Sequence, residues 1–176
     1  INFFSIYVLI KSNMNLKIIL SSYEKIISSL AKISLFFFAW QLVNISSLIS
    51  VFSIIDLNIG KSYNAIVYTI HHRSIADGIQ RNAGFCWEPG PFASFLVCAL
   101  IIYLLKTKFT LDKRVLLYVI TILSTVSSTG YLCLIIIFVW YFYIKSKRYF
   151  LIILPIILFL SMLFILKSNN LNNKVL

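Results

Sequence analysis

The stretch from Ile33 to Ile55, ISLFFFAWQLVNISSLISVFSII, runs for 23 residues without a charge. At a 1.5 Å rise per residue a helix of that length covers a hydrocarbon core of about 30 Å with some tilt. Working outward, the same kind of block recurs. Ile1 to Ile10 reads as the tail of another span, and a start at Ile1 rather than Met predicts a piece of a longer chain. Apolar residues make up 60% of the 176 residues, charged ones 12%, and the mean hydropathy is +0.94. A soluble domain of this length carries many more charges. The predicted fold is therefore all-α, a polytopic transmembrane helix bundle forming one domain over residues 1–176.

The charges punctuate the blocks. Lys11, Lys17, Lys25 and Lys32, against the single acid Glu24, precede the first whole span. A polar segment, residues 56–90, follows it. Phe92 to Leu105 is apolar again, and Lys106, Lys108, Lys113 and Arg114 come next. Val115–Thr125 and Tyr131–Ile144 are separated by Ser127-Ser128-Thr129-Gly130. Lys145, Lys147 and Arg148 then precede a last apolar block, Tyr149–Leu166. That gives about five whole spans and one partial one. Alternating them puts residues 11–32, 106–114 and 145–148 on one side, with eleven of the sixteen basic residues. The positive-inside rule makes that side cytoplasmic and residues 56–90 an extracytoplasmic loop. Merging Val115–Ile144 into one helix of about 45 Å would send Lys145, Lys147 and Arg148 outside, so a hairpin is preferred.

The formal charge of +11 follows from this topology. The basic residues form short clusters rather than a continuous face, which argues against a nucleic-acid partner. Cys86, Cys98 and Cys133 have no CxxC or metal-ligand spacing, so neither a disulfide framework nor a metal site is expected. No basic n-region or small-residue cleavage site accompanies Ile1–Ile10, which argues against a signal peptide. Phe92–Leu105 and Val115–Thr125 are short for spans. Either their outer ends border a wet, protein-lined cavity or a loop dips into the headgroup region.

The polar segment ends in Arg81-Asn82-Ala83-Gly84-Phe85-Cys86-Trp87-Glu88-Pro89-Gly90 and runs directly into an apolar helix. This R-x-x-G-x-x-W-E-P-G arrangement resembles the O-antigen ligase/polymerase family of membrane glycosyltransferases. Leu123 to Tyr131, a span closing in a Ser/Thr-Gly turn, is similar to that family's next hairpin. The resemblance covers roughly residues 81–144. It implies a multi-pass protein of the bacterial cytoplasmic (inner) membrane, acting in surface-polysaccharide biosynthesis (lipopolysaccharide O-antigen or capsule). Its partners would be undecaprenyl-pyrophosphate-linked oligosaccharide, membrane lipid and other polysaccharide-assembly proteins. It implies a metal-independent transfer without a cofactor, in which a sugar hydroxyl of one lipid-linked oligosaccharide attacks the anomeric carbon of another.

A developing pyrophosphate charge needs fixed donors, and an attacking hydroxyl benefits from a base. Arg81 is the first candidate for the pyrophosphate clamp, because guanidinium presents a fork of donors to phosphate oxygens. The competing reading is an interfacial arginine or a pair with Glu88. Glu88 is a candidate base or orienter of Arg81, and otherwise a helix N-terminal cap. Arg73 is a second phosphate-binding candidate. Trp87 offers a stacking face for a sugar or, alternatively, an interfacial anchor. His71 and His72 offer a base near pH 7, although adjacent histidines on a helix diverge by about 100°. Gln41, Asn44 and Ser47 form a polar stripe suited to interhelical hydrogen bonds. Two other classes remain open: a flippase or transporter of lipid-linked oligosaccharides, and a scaffold without a site. A flippase would carry substrate-binding charges inside its spans, and none of the whole spans drawn above contains one.

Overall fold

A computed structural model describes residues 16–51, 53–57, 60–64, 67–71 and 80–145. The chain divides into two compact units, Ile1–Leu134 and Ile135–Leu176, and the account of packing below concerns the first. Helix α1 is Leu16–Val43 and α2 is Ile45–Val51. Strands β1 (Ser53–Leu57), β2 (Gly60–Asn64) and β3 (Thr69–Ile70) follow, then helices α3 (Pro89–Lys106), α4 (Lys113–Ser124) and α5 (Ser128–Lys145). Among the described residues, α1, α3 and α5 are long and apolar enough to cross a membrane. The molecule is a helical membrane protein. The expected spans at Ile1–Ile10 and Tyr149–Leu166 lie outside the described residues, and α4, at 12 residues, is too short to cross alone.

The first whole span begins and ends elsewhere than the charge pattern predicts. Residues 16–32, read as a cytoplasmic loop, are the first half of α1. The reason lies in which face is buried. Glu24, Ile27, Ser28, Ala31, Ser34 and Gln41 recur at helical spacing and are buried, whereas Lys17, Lys25 and Lys32 face away. The lysines are good helix formers, and the small residues let neighbouring helices approach closely. At the other end the 23-residue block is interrupted. Asn44 Oδ1 accepts the Ser47 amide at 3.0 Å, an N-cap that starts a new helix and competes with continuation of α1. The block's last residues, with β-branched Ile54 and Ile55, enter β1, a conformation such residues favour.

The polar segment contains a sheet that the all-α expectation omitted. Its order is β1-β2-β3, all antiparallel, with Ile55 opposite Ser62 and Tyr63 opposite Ile70. Tyr68 and Ile70 are wholly buried together with Leu48 of α2, and Phe37, Phe38, Ile45 and Ile49 pack around them. The ring of Phe37 stacks on that of Tyr68 at 5.4 Å between centroids. This apolar cluster anchors the polar segment on the upper part of α1 and on α2.

Helices α1, α3 and α4 form a three-helix group in which α3 runs against the other two. Pro89 and Pro91 suit the first turn of α3, where an amide has no partner to lose. Asp112 starts α4 by accepting the amides of Arg114 at 2.9 Å and Val115 at 3.1 Å. At the lower end Arg114 Nη1 lies 3.3 Å from Glu24 Oε1. The Tyr118 hydroxyl donates to the same carboxylate at 3.0 Å, and Lys106 Nζ donates to Ser21 Oγ at 3.1 Å. With Lys17 and Lys25 nearby, these contacts gather four of the basic residues of α1, α3 and α4 at one end, while Lys32 lies higher, near the level of Ser34. The apolar run Val115–Ile144 is broken into two helices rather than merged into one, with Val126 at φ 50 between α4 and α5. Gly130 sits where an added Cβ would lie 3.1 Å from Ala93 and from Ile122, so α5 begins in close contact with α3 and α4.

Candidate functional site

The end of α4 stops beside Ser34. That leaves about 14 Å of α1, the nine residues up to Val43, rising above it. Either a wet cavity or a dipping loop was expected at this depth. The structure fills it with residues 80–86 of the polar segment. Asn82 is wholly buried. Its amide donates to Ser124 O at 3.0 Å, and its Nδ2 donates to Ser124 Oγ at 2.9 Å and to Ser34 Oγ at 3.3 Å. Its Oδ1 accepts the Gly84 amide at 3.0 Å. One residue thus joins α1, α4 and the segment, and the Ser124 carbonyl at the end of α4 gains a partner that hydrocarbon could not supply.

A second polar contact lies higher on α1. The Tyr68 hydroxyl donates to Gln41 Oε1 at 2.6 Å, and Gln41 Nε2 donates to Gln80 Oε1. Burial pushes the Tyr68 hydroxyl well above its usual range, so it stays a donor throughout the physiological range. The predicted Gln41–Asn44–Ser47 stripe does not act as a unit. Gln41 makes the inter-element bond, Asn44 caps α2, and Ser47 accepts Trp40 Nε1 at 2.8 Å.

Around these two contacts the motif residues take different positions. Gly84 has φ +54, and a Cβ there would lie 2.5 Å from the Phe92 ring. Glycine is required twice over, by the backbone conformation and by the aromatic ring against it. Its carbonyl accepts the Thr69 amide, so the turn is tied to β3. An isolated bridge pairs Ile70 with Asn82 in antiparallel sense. Continuing that register by one step sets the backbone of His71 beside that of Arg81. His71 is buried, Arg81 is half-buried, and His71 Nδ1 and Arg81 Nε are both shielded from solvent.

Trp87 and Glu88 stand apart from this buried group. Trp87 is 63% exposed. Glu88 occupies the N-cap position of α3 in extended conformation, yet its side chain makes no capping hydrogen bond; the carboxylate is exposed and is not consumed by the helix end. Arg73 and His72 lie outside the described residues. The hydroxyls of Ser124 and Thr125 donate to the carbonyls of Thr121 and Ile122 at 2.7 Å, which makes them turn formers.

Cys86, in the middle of the motif, is 3% exposed, and burial pushes its thiol up to about 11. No cluster of three or more His, Cys, Asp or Glu suited to a metal occurs among the described residues. Asn82 and Gln80 were missed by sequence reasoning, because an uncharged amide in a loop carries no signal until its partners, 42 and 39 residues away, are known. Comparisons with family models, with curated proteins and with solved structures return no match.

Proposed function

We propose that this chain is part of a membrane glycosyltransferase that joins undecaprenyl-pyrophosphate-linked oligosaccharides on the outer face of the bacterial cytoplasmic membrane. The reading rests on the R-x-x-G-x-x-W-E-P-G sequence at residues 81–90. One observation carries it: Arg81 is held half-buried beside Asn82 instead of projecting freely into water. A guanidinium so held is partly desolvated, which strengthens its attraction to an anion, and its fork matches two phosphate oxygens.

In the proposed reaction the acceptor hydroxyl attacks the anomeric carbon of the donor sugar. The bond from that carbon to the lipid pyrophosphate breaks, and the departing electron pair leaves with the pyrophosphate, steadied by Arg81. The hydroxyl proton passes to a base, for which the exposed carboxylate of Glu88 is the first candidate and the imidazole of His71 the second. Trp87, with its open face, is suited to stack on a sugar ring. Arg73 and His72 remain candidates on sequence grounds. The gathering of Lys17, Lys25, Lys106 and Arg114 at the opposite end of α1, α3 and α4 supports an outward-facing polar segment.

In the complete protein, Arg81→Ala should abolish polymer length on a gel while membrane insertion is unaffected. Arg81→Lys should rescue poorly, since ammonium lacks the fork. Full-length polymer from Arg81→Ala would remove Arg81 from the mechanism. Sidedness is tested at Trp87→Cys with a membrane-impermeant thiol reagent, because the native Cys86 is too buried to report it; labelling only after the cytosolic face is opened would overturn the proposal.

A flippase for the same lipid-linked sugars is the second reading, and the buried Glu24 inside α1 is the observation that favours it. Glu24, however, is held by Arg114, whose side chain is 43% exposed at the basic end. That position suits anchoring of helices better than a translocation path through the centre of the bundle.

A further inference from the structure

At the basic end, a groove of about 880 Å³ opens between the first turns of α1 and the last turns of α3. Its size falls in the range of ligand sites, about 300–1,000 Å³. Lys17, Lys25 and Lys106 line it together with the hydroxyls of Ser21 and Ser22, and no acid is among the described lining residues. The one acid nearby in sequence, Glu24, is turned to the other face of α1, toward Arg114 and Tyr118. The rest of the wall is aliphatic, including Leu20, Ile102 and Leu105. The Lys106–Ser21 hydrogen bond at 3.1 Å ties the two sides together.

We infer that this groove binds an anionic phospholipid from the leaflet that meets the basic end. Two observations converge on that occupant. The polar part of the wall is positive and rich in hydroxyl donors, complementary to a phosphodiester. The apolar part belongs to two helices that are each apolar enough to cross the bilayer, so it meets acyl chains at the depth where headgroup gives way to hydrocarbon. Basic pockets of this kind between membrane helices hold lipid headgroups. A soluble anion would use the cations but gain nothing from Leu20, Ile102 and Leu105. The inference is independent of the reaction proposed above, which concerns the other end of the bundle.

The test is thermal unfolding of the detergent-solubilised full chain titrated with phosphatidylglycerol, with phosphatidylcholine of the same acyl chains, or with inorganic phosphate. Phosphatidylglycerol should raise the midpoint in a saturable way. Each cation near a lipid surface is worth about a fivefold change in affinity, so Lys25→Gln should require about fivefold more lipid for half-saturation. Lys25→Gln/Lys106→Gln should require on the order of thirtyfold more. Lys25→Gln keeps the Lys106–Ser21 bond and so serves if the double variant fails to fold. Raising salt from about 0.05 to about 0.3 M should also weaken the wild-type response, through shorter-range screening. The inference is overturned if phosphatidylcholine gives the same shift, if phosphate alone at equal concentration does, or if half-saturation in Lys25→Gln matches wild type.

Discussion

Replacing Asn82 by alanine should release the polar segment from α4 and α1 without unfolding the helices. The substitution removes the side-chain bonds to Ser124 Oγ and Ser34 Oγ and strands the buried Gly84 amide, while the backbone bond to Ser124 O survives. Two neutral hydrogen bonds contribute about 1 kcal/mol each, and an unsatisfied buried amide costs about 1–3 kcal/mol. The local opening equilibrium should therefore shift by about 3–5 kcal/mol. Cys86, four residues on and 3% exposed, reports it. In a Cys98→Ser/Cys133→Ser background, maleimide labelling of Cys86 should accelerate on the order of a hundredfold, the rate factor equivalent to about 3 kcal/mol. The pH profile should change as well. Burial raises the thiol to about 11 from an ordinary 9.0, so direct labelling of the closed form keeps rising with pH to about 11. In Asn82→Ala, where the open form reacts, the rise should level off near the ordinary value. Asn82→Ala with wild-type labelling rate and wild-type profile would refute the assignment of Asn82 as the clasp.

Gly84→Ala should destabilise the segment by about 2–4 kcal/mol, from the left-handed backbone and the collision with the Phe92 ring, read by the same labelling. Adding Phe92→Leu should recover the steric part and leave the backbone part. Arg114→Ala should lower the midpoint of detergent unfolding by the equivalent of about 2 kcal/mol, because it strips Glu24 of its charged partner; Arg114 is partly exposed, which keeps the loss below that of a fully buried pair. Asp112→Ala should cost about 1 kcal/mol through loss of the α4 cap. The Tyr103 hydroxyl, and then the amides of Val115 and Arg114, hold the Asp112 carboxyl below its ordinary value. Its contribution is therefore fully present above that ordinary value and is lost as pH falls through the lowered one.

Helices α3 and α5 were legible in the sequence, since Pro89, Lys106, the Ser/Thr-Gly turn and Lys145 mark their limits by local chemistry. The break between α4 and α5 was legible for the same reason. Helix α1 was not, because charge marks a loop only when it meets water. Glu24 finds its partner Arg114 ninety residues later, and nothing local to residues 16–32 announces that pairing. The sheet was hidden by its context: Ile54 and Ile55 continue an apolar run, and a short apolar strand cannot be told from a helix by periodicity alone. At the candidate site, the charged and aromatic residues stood out by type. Asn82, which connects the segment to the helices, did not.

The clasp also fixes an order of assembly. A chain threaded into the membrane from its N-terminus presents residues 80–86 well before Ser124, 42 positions downstream of Asn82. Until α4 has been delivered, the Asn82 carboxamide lacks its Ser124 partner, and the segment bearing Arg81 is held by contacts within itself and to α1, α2 and β3. Maturation of this region is thus a late stitching event. A ribosome-stalled intermediate ending before α4 should expose Cys86 to thiol reagents, and one that includes α4 should conceal it.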